Sequence, residues 1–157
     1  MSQPFRYYFQ VRYSECDAQQ VVFNARYGDY IDLAATEFFH TVNEENDAKG
    51  EYFDYQVVKQ TVEWAAPARY REQLVIFVKA THLGNTSFTL EMDIHNVKTG
   101  QFIARGEMTG VSVDPVTVKK VSISDTMKEA MQHGGQGRFV SHAALKFDPE
   151  QSTYPEL

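Results

Sequence analysis

Apolar and polar residues alternate over the first stretch of the chain, from Phe5 to Tyr13, with the period of two that a half-buried strand shows. From Ala25 the apolar period lengthens to that of a helix. The positions that share one face of this helix are Tyr27, Tyr30, Ile31, Ala34 and Phe38. Asn24 stands where an N-cap residue belongs, and the helical pattern fades over 43–47.

Four strand-like segments follow the helix. They cover Tyr55 to Trp64, then 74–80, 88–95 and 102–113. A hairpin turn at Thr99-Gly100 joins the last two, and Leu83-Gly84-Asn85 forms another tight connection. A short helix is expected over 124–132 with Ser124 as its N-cap.

The order of these elements predicts the fold class. One strand, one long helix and four strands in a meander give an α+β fold, because a lone amphipathic helix buries its apolar stripe against an antiparallel sheet. We expect a long central helix wrapped by a curved sheet of five to six strands. The domain should span 1–133, and 134–157 should form a C-terminal tail that is extended or mobile.

Composition and charge exclude several classes of protein. The 157 residues are 43 % apolar and carry a net charge of −6, which argues against a nucleic-acid binder. No apolar run is long enough to span a bilayer, and the N-terminus lacks the apolar region of a signal peptide, so a cytoplasmic location is expected. One cysteine and five histidines without ligand spacing predict neither a disulfide nor a metal site.

The loop before the long helix carries the candidate chemistry. Asp17 lies in this loop, close to a helix N-terminus whose free N–H groups can polarise a carbonyl. A carboxylate there can attack an acyl carbon or activate a water, or it can simply cap the helix or remain solvated. Glu15 is a second candidate base or a solvated strand-end charge. Cys16 has the opposite strand parity to Asp17 and should point into packing. The sequence offers no histidine or positive charge locally that would activate it as a nucleophile.

Several motifs resemble those of one known family. The segments 11–17 (VRYSECD), 21–27 (VVFNARY) and 34–38 (AATEF) resemble the opening motif of the hotdog-fold acyl-CoA thioesterases, in particular the 4-hydroxybenzoyl-CoA thioesterase group. The segment 62–70 (VEWAAPARY) looks like that family's strand and Pro-Ala-Arg-Tyr turn. The segment 83–89 (LGNTSFT) looks like its Gly-x-Ser-Ser hairpin. The likeness extends from Arg6 to Met131, in the expected order and spacing.

The resemblance implies a role for several residues. The catalytic carboxylate falls on Asp17, and the backbone N–H that polarises the thioester carbonyl falls on Asn24. Tyr27 falls on an aromatic packed at the helix start, while Thr86 and Ser87 fall where the family contacts coenzyme A. One position departs from the pattern: most members have glycine three residues after the aspartate, where this chain has Gln20.

The predicted function is hydrolysis of an acyl-CoA thioester, with no cofactor because coenzyme A is part of the substrate. A homodimer or homotetramer with composite active sites is expected. An acyl-carrier-protein thioester is a variant substrate, and an acyl-binding module or a hydratase on the same fold are the alternatives. Glu63 either faces the pocket or points to solvent. The candidate phosphate contacts are Arg69, Arg71, Lys79, Lys119 and Lys120.

Overall fold

The computed structural model describes residues 3–47 and 52–143. The element bounds are β1 Phe5–Gln10, α1 Arg26–Asp47, β2 Tyr55–Trp64, β3 Gln73–Leu83, β4 Ser87–Asn96, β5 Phe102–Ser112, α2 Asp125–His133 and β6 Phe139–Ser141. A single 3-10 turn, Tyr13–Glu15, interrupts the chain between β1 and α1. The long helix, the short helix and the predicted strands are therefore all present.

The six strands form one sheet in the order β2-β5-β4-β3-β1-β6. All neighbours are antiparallel except β6, which runs parallel to β1. This confirms the predicted α+β fold with its long helix on a mostly antiparallel sheet. The sheet is six strands wide, the upper end of the expected range.

The expected meander is wrong for β2, which lies at the far edge of the sheet beside β5. The connection from β2 to β3 crosses the end of the sheet, held by backbone N–H groups of Ala65 and Ala66 that donate to the Ile103 carbonyl at 2.8 and 3.1 Å. Further along, the Ala68 carbonyl accepts from Val22 N–H at 2.8 Å. This crossing segment ties the sheet to the loop that precedes α1.

Helix α1 packs its predicted stripe onto the sheet. Tyr27, Tyr30, Ile31, Ala34 and Phe38 are all 2 % exposed or less. The helix comes close to β5, where a Cβ on Gly106 would lie 2.3 Å from Cδ1 of Ile31. Glycine is therefore required at that position for the helix to lie at this depth.

Two predicted boundaries are wrong. Strand β1 ends at Gln10 rather than at Tyr13, because the chain turns there into the 3-10 helix. Helix α1 begins at Arg26, one residue too late for Asn24 to be its N-cap, and the Asn24 side chain is exposed. The predicted cap of α2 is confirmed, since the Ser124 hydroxyl accepts from Met127 N–H at 3.1 Å.

Part of the predicted tail belongs to the sheet. Phe139, Val140 and Ser141 pair with Arg6, Tyr7 and Tyr8 of β1. Just beyond β6, His142 N–H donates to the Tyr8 carbonyl at 2.8 Å. The rest of the predicted tail, 144–157, lies outside the described residues.

Among the described segments, no helix combines the length and apolarity needed to cross a membrane.

Candidate active site

A small hairpin in the β1–α1 connection positions Asp17. Cys16 and Val22 form an antiparallel bridge. Asp17 N–H donates to the Val21 carbonyl, and Phe23 N–H donates to the Glu15 carbonyl, both at 2.9 Å. These bonds fix the carboxylate relative to the residues that lead into α1.

The Asp17 side chain keeps one oxygen available. Its Oδ1 accepts from Gln19 N–H at 2.8 Å. No other described residue bonds to the carboxylate. The side chain is only partly buried, so its second oxygen can meet a substrate or a water. A carboxylate held on one side and open on the other suits a nucleophile or general base.

Backbone donors lie at the start of α1, across the hairpin from Asp17. Within the described segments, the N–H groups of Asn24 and Ala25 have no acceptor, whereas Arg26 and Tyr27 donate to the carbonyls of Phe23 and Asn24. Asn24 comes three positions after Val21, whose carbonyl accepts from Asp17 N–H, so the donors follow directly on the hairpin that holds the acid.

A cleft of about 660 Å³ opens at Asp17. Its walls are formed by Tyr13, Ser14, Cys16, Asp17, Ala18, Gln20 and Tyr70. The strand pattern placed Tyr13 on the buried face, but its side chain is 80 % exposed because β1 ends before it. The sequence indicates Tyr70 only as part of the Pro-Ala-Arg-Tyr turn. Local sequence does not reveal that residues 13 and 70 meet, with ring centroids 5.8 Å apart.

Glu15 is neither the solvated charge nor the base that the sequence suggested, because it is only 4 % exposed. Its carboxylate accepts from Arg12 N–H at 2.7 Å, from the Arg12 guanidinium at 2.8 and 3.1 Å, and from the Tyr30 hydroxyl at 3.0 Å. Burial alone raises the pKa of Glu15, but the hydrogen bonds from Arg12 and Tyr30 outweigh it and lower the pKa. Glu15 therefore acts as an ionised anchor for the loop.

Two other residues near Asp17 serve packing. Cys16 is partly buried against the core, and burial, with the charges of Glu15 and Asp17, raises the pKa of its thiol. A raised pKa disfavours the thiolate that a nucleophile needs. Tyr27 is buried at the helix start, and its ring makes T-shaped contacts with the rings of Trp64 and Tyr30. Burial raises the pKa of Tyr27 to about 12.

Of the two predicted substrate-binding residues Glu63 and Arg69, only Arg69 lies near Asp17 in the structure. Glu63 is exposed on β2 opposite Arg105, with side-chain parity opposite to that of Val62, which packs on the core. It therefore lies on the face of the sheet away from α1 and does not meet Asp17. Arg69 bridges to Val21 in the hairpin itself, so it lies beside the site.

Thr86 and Ser87 lie at the opposite end of the sheet. They belong to the β3–β4 hairpin, where Gly84 N–H donates to the Ser87 carbonyl at 2.7 Å. Strand β3 separates this hairpin from the Arg69 end by 11 residues, or about 35 Å. Within one chain these two residues do not join the Asp17 site.

A second cleft, of about 710 Å³, lies between the outer face of α1 and the start of β2. Aromatic side chains of Phe39, Tyr52, Phe53 and Tyr55 line it together with Asp32 and His40. It is at the Thr86 end of the sheet and does not contain Asp17. The Asp17 carboxylate lies in the 660 Å³ cleft, whereas Asn24 and Ala25 line neither of the two clefts.

Gln20 stands where the resembling family has glycine, and its backbone has φ of +65°. This is the left-handed region that glycine enters without cost. Gln20 N–H donates to the Asp17 carbonyl at 2.9 Å, which closes the turn. The departure from glycine therefore leaves the path of the loop intact at the cost of local strain.

Replacing Gln20 by glycine should relieve this strain. We expect Gln20→Gly to stabilise the fold by about 0.5 to 1 kcal/mol, since the gain from removing the left-handed penalty exceeds the added entropy of the unfolded chain. Urea unfolding measures the difference. Gln19→Gly is the matched control: Gln19 lacks a positive φ, so that variant should lose stability. A loss of stability in both variants would contradict the strain at Gln20.

Comparisons with known proteins agree with this architecture. A model of the thioesterase-like superfamily matches residues 11–131. Over 116 residues, 73 % of this chain and 86 % of the relative, the chain is 32 % identical to the acyl-CoA thioester hydrolase YbgC of Escherichia coli. A 1,4-dihydroxy-2-naphthoyl-CoA thioesterase from Synechocystis superposes with a TM-score of 0.67 at 19 % identity, covering 81 % of this chain and 94 % of that one.

A further similar structure is a mutant 4-hydroxybenzoyl-CoA thioesterase in complex with 4-hydroxybenzoyl-CoA. It has a TM-score of 0.67 at 14 % identity and covers 81 % of this chain and 97 % of that one. The fold is thus the hotdog fold of thioesterases, and the resemblance noted from the motifs is confirmed. The chain belongs to the thioesterase-like superfamily.

Proposed function

We propose that this protein hydrolyses acyl-CoA thioesters to a carboxylic acid and free coenzyme A. The observation that carries the proposal is a half-free Asp17 carboxylate in an open cleft, on a hairpin that leads directly to the unpaired N–H groups of Asn24 and Ala25. The name of the Escherichia coli relative, an acyl-CoA thioester hydrolase, supports the same reaction. We place the reaction in the cytoplasm.

The Asn24 N–H would polarise the thioester carbonyl and stabilise the negative charge that develops on its oxygen. Asp17 acts in one of two ways. As a general base it takes a proton from water while the water oxygen bonds to the acyl carbon. As a nucleophile its own oxygen bonds to that carbon, and water then cleaves the resulting anhydride. In both routes the C–S bond breaks, the sulfur leaves with the electron pair, and it is protonated to the thiol.

The test is release of free thiol from a panel of acyl-CoA substrates, aromatic and aliphatic. The same acyl groups on an acyl carrier protein distinguish the two carriers. We expect turnover of at least one acyl-CoA. Binding without turnover would favour an acyl-binding module, and hydration of an enoyl-CoA without thiol release would favour a hydratase.

We further propose that the active unit is a homodimer paired through β2. This strand is a sheet edge of 10 residues, nearly all exposed, with Val58 at 62 % and Trp64 at 50 %. Antiparallel pairing of two β2 strands about a two-fold axis turns the partner sheet end for end. That operation brings the partner's hairpin end, which carries Thr86 and Ser87, towards the Asp17 end. Two such dimers would make the homotetramer.

A charge on the β2 edge should disrupt this pairing. We expect Val58→Lys to weaken dimerisation by about tenfold or more, a change of roughly 1.4 kcal/mol or greater, and to lower thiol release in parallel. Val116→Lys, at a position 87 % exposed outside the edge strand, is the control. Light scattering gives the mass. A Val58→Lys monomer with full activity would rule out the composite site.

A further inference from the structure

A third cleft, smaller than the other two, adjoins the Asp17 cleft. It has a volume of about 400 Å³ and shares its Tyr13 and Tyr70 walls with the larger one. The rest of its lining comes from Gln10, Val11, Arg12, Arg71 and His142. None of these lining residues is acidic, although the whole chain carries a net charge of −6.

The two arginines of this cleft are not equivalent. Arg12 is bound to Glu15, although its side chain remains 72 % exposed. The Arg71 side chain, in contrast, has neither an ion pair nor a hydrogen bond within the part of the chain that the structure describes, and the residue is exposed. Arg71 therefore supplies an uncompensated positive charge and a full set of donors.

The backbone holds Arg71 in an unfavourable conformation, with φ of +69°. Its N–H donates to the Val11 carbonyl and its carbonyl accepts from the Gln10 side chain, both at 3.1 Å. A non-glycine residue fixed in this region costs free energy, and such residues concentrate at functional sites. Arg71 in this conformation lines the cleft together with Arg12, close to the end of β1.

The far wall comes from the segment after α2, which lies outside the family match at 11–131. His142 is held there by its Nδ1, 2.7 Å from the Tyr7 hydroxyl, and by its Nε2, 3.7 Å from Glu37. His142, the residue after β6, is the only lining residue that this segment contributes among those described. The cleft therefore includes a side chain, His142, that the segment matched by the family model does not supply.

We propose that this cleft binds a phosphate of the pantetheine carrier, in the same subunit as Asp17. The inference rests on the proposed function, because a thioester at Asp17 leaves its arm free to cross the exposed Tyr13–Tyr70 pair into the cleft. A guanidinium matches phosphate oxygens with two parallel hydrogen bonds. The site differs from the Thr86–Ser87 hairpin, which only a partner subunit could bring to Asp17.

The experiment compares Arg71→Gln, Arg71→Lys and the charge-matched control Lys98→Gln, an exposed lysine that lines neither cleft. Glutamine keeps a Cβ, so the backbone strain at residue 71 is unchanged. Each variant is assayed with the best acyl-CoA of the panel and with the same acyl group on pantetheine, which carries no phosphate. We expect Arg71→Gln to raise KM for the acyl-CoA about tenfold, with kcat and the pantetheine substrate unaffected. Arg71→Lys should recover most of the affinity.

An unchanged KM in Arg71→Gln, or an equal rise for both substrates, would overturn the phosphate site. When KM for the acyl-CoA does rise, the same acyl group on a carrier protein identifies the phosphate. An equal rise there assigns the one next to pantetheine, and no rise assigns those of the nucleotide. If the wild type hydrolyses no thioester, the proposed function fails, and calorimetry with free coenzyme A still tests the cleft. Equal affinity of wild type and Arg71→Gln would then refute it.

Discussion

Asp17→Asn should lower kcat for thioester hydrolysis by about 10² to 10⁴-fold, the usual contribution of a positioned acid–base group. The amide can still accept the hydrogen bond from Gln19 N–H, so the loop should keep its shape. It can neither take a proton from water nor form an anhydride. The measurement is thiol release under saturating substrate.

The control for this variant is Asp125→Asn, the same change of atoms at an exposed position in the first turn of α2. It should retain wild-type kcat. Near-normal turnover in Asp17→Asn would remove Asp17 from the mechanism. An unfolded variant would instead show in its circular dichroism, which separates loss of chemistry from loss of structure.

Glu15→Ala should destabilise the fold by about 3 kcal/mol. The substitution leaves the Arg12 backbone N–H and the buried Tyr30 hydroxyl without the acceptor that they share. Tyr30→Phe removes only one of these bonds and should cost about 1 kcal/mol. Denaturant unfolding of both variants gives the comparison. Equal stability of Glu15→Ala and wild type would show that Glu15 is not the anchor of the loop.

The titration of Glu15 should make the stability of the fold depend on pH. The pKa of Glu15 is lower in the folded protein than its ordinary value of 4.5. Its contribution to stability is therefore fully present above pH 4.5 and is lost as the pH falls through the folded pKa. In Glu15→Gln this part of the acid destabilisation should disappear. A variant that loses stability with falling pH as steeply as the wild type would contradict the assignment.

Sequence patterns predicted the fold well where one face of an element meets the core. The apolar stripe over 27–38 and the strand-like segment over 88–95 predict elements of the right type, and the bounds of β4 differ by one residue at each end. The position of β2 depended on the long-range pairing with β5 and on the crossing segment at 65–72, which local periodicity does not encode. The strand β6 is only three residues long, too short for any pattern to mark.

The candidate site was predictable only where a sequence motif marks a residue, and not where the role of a residue depends on long-range contacts. The motif resemblance indicates Asp17 and Asn24, and the structure places Asp17 in a small hairpin that leads directly to Asn24. The buried role of Glu15 and the meeting of Tyr13 with Tyr70 depend on contacts formed only in the folded chain. Glu63 lies between the apolar residues Val62 and Trp64, but this did not reveal that its own side chain faces away from α1.

The short parallel strand β6 also bears on how far these molecules can associate. It is the second edge strand of the sheet, but it has only three residues, whereas the edge strand β2 has ten. A short edge strand presents few unpaired N–H and C=O groups to a neighbouring sheet, so the long edge is favoured for pairing. Two sheets that join through β2 therefore leave only short edges outside, which disfavours continued side-by-side association.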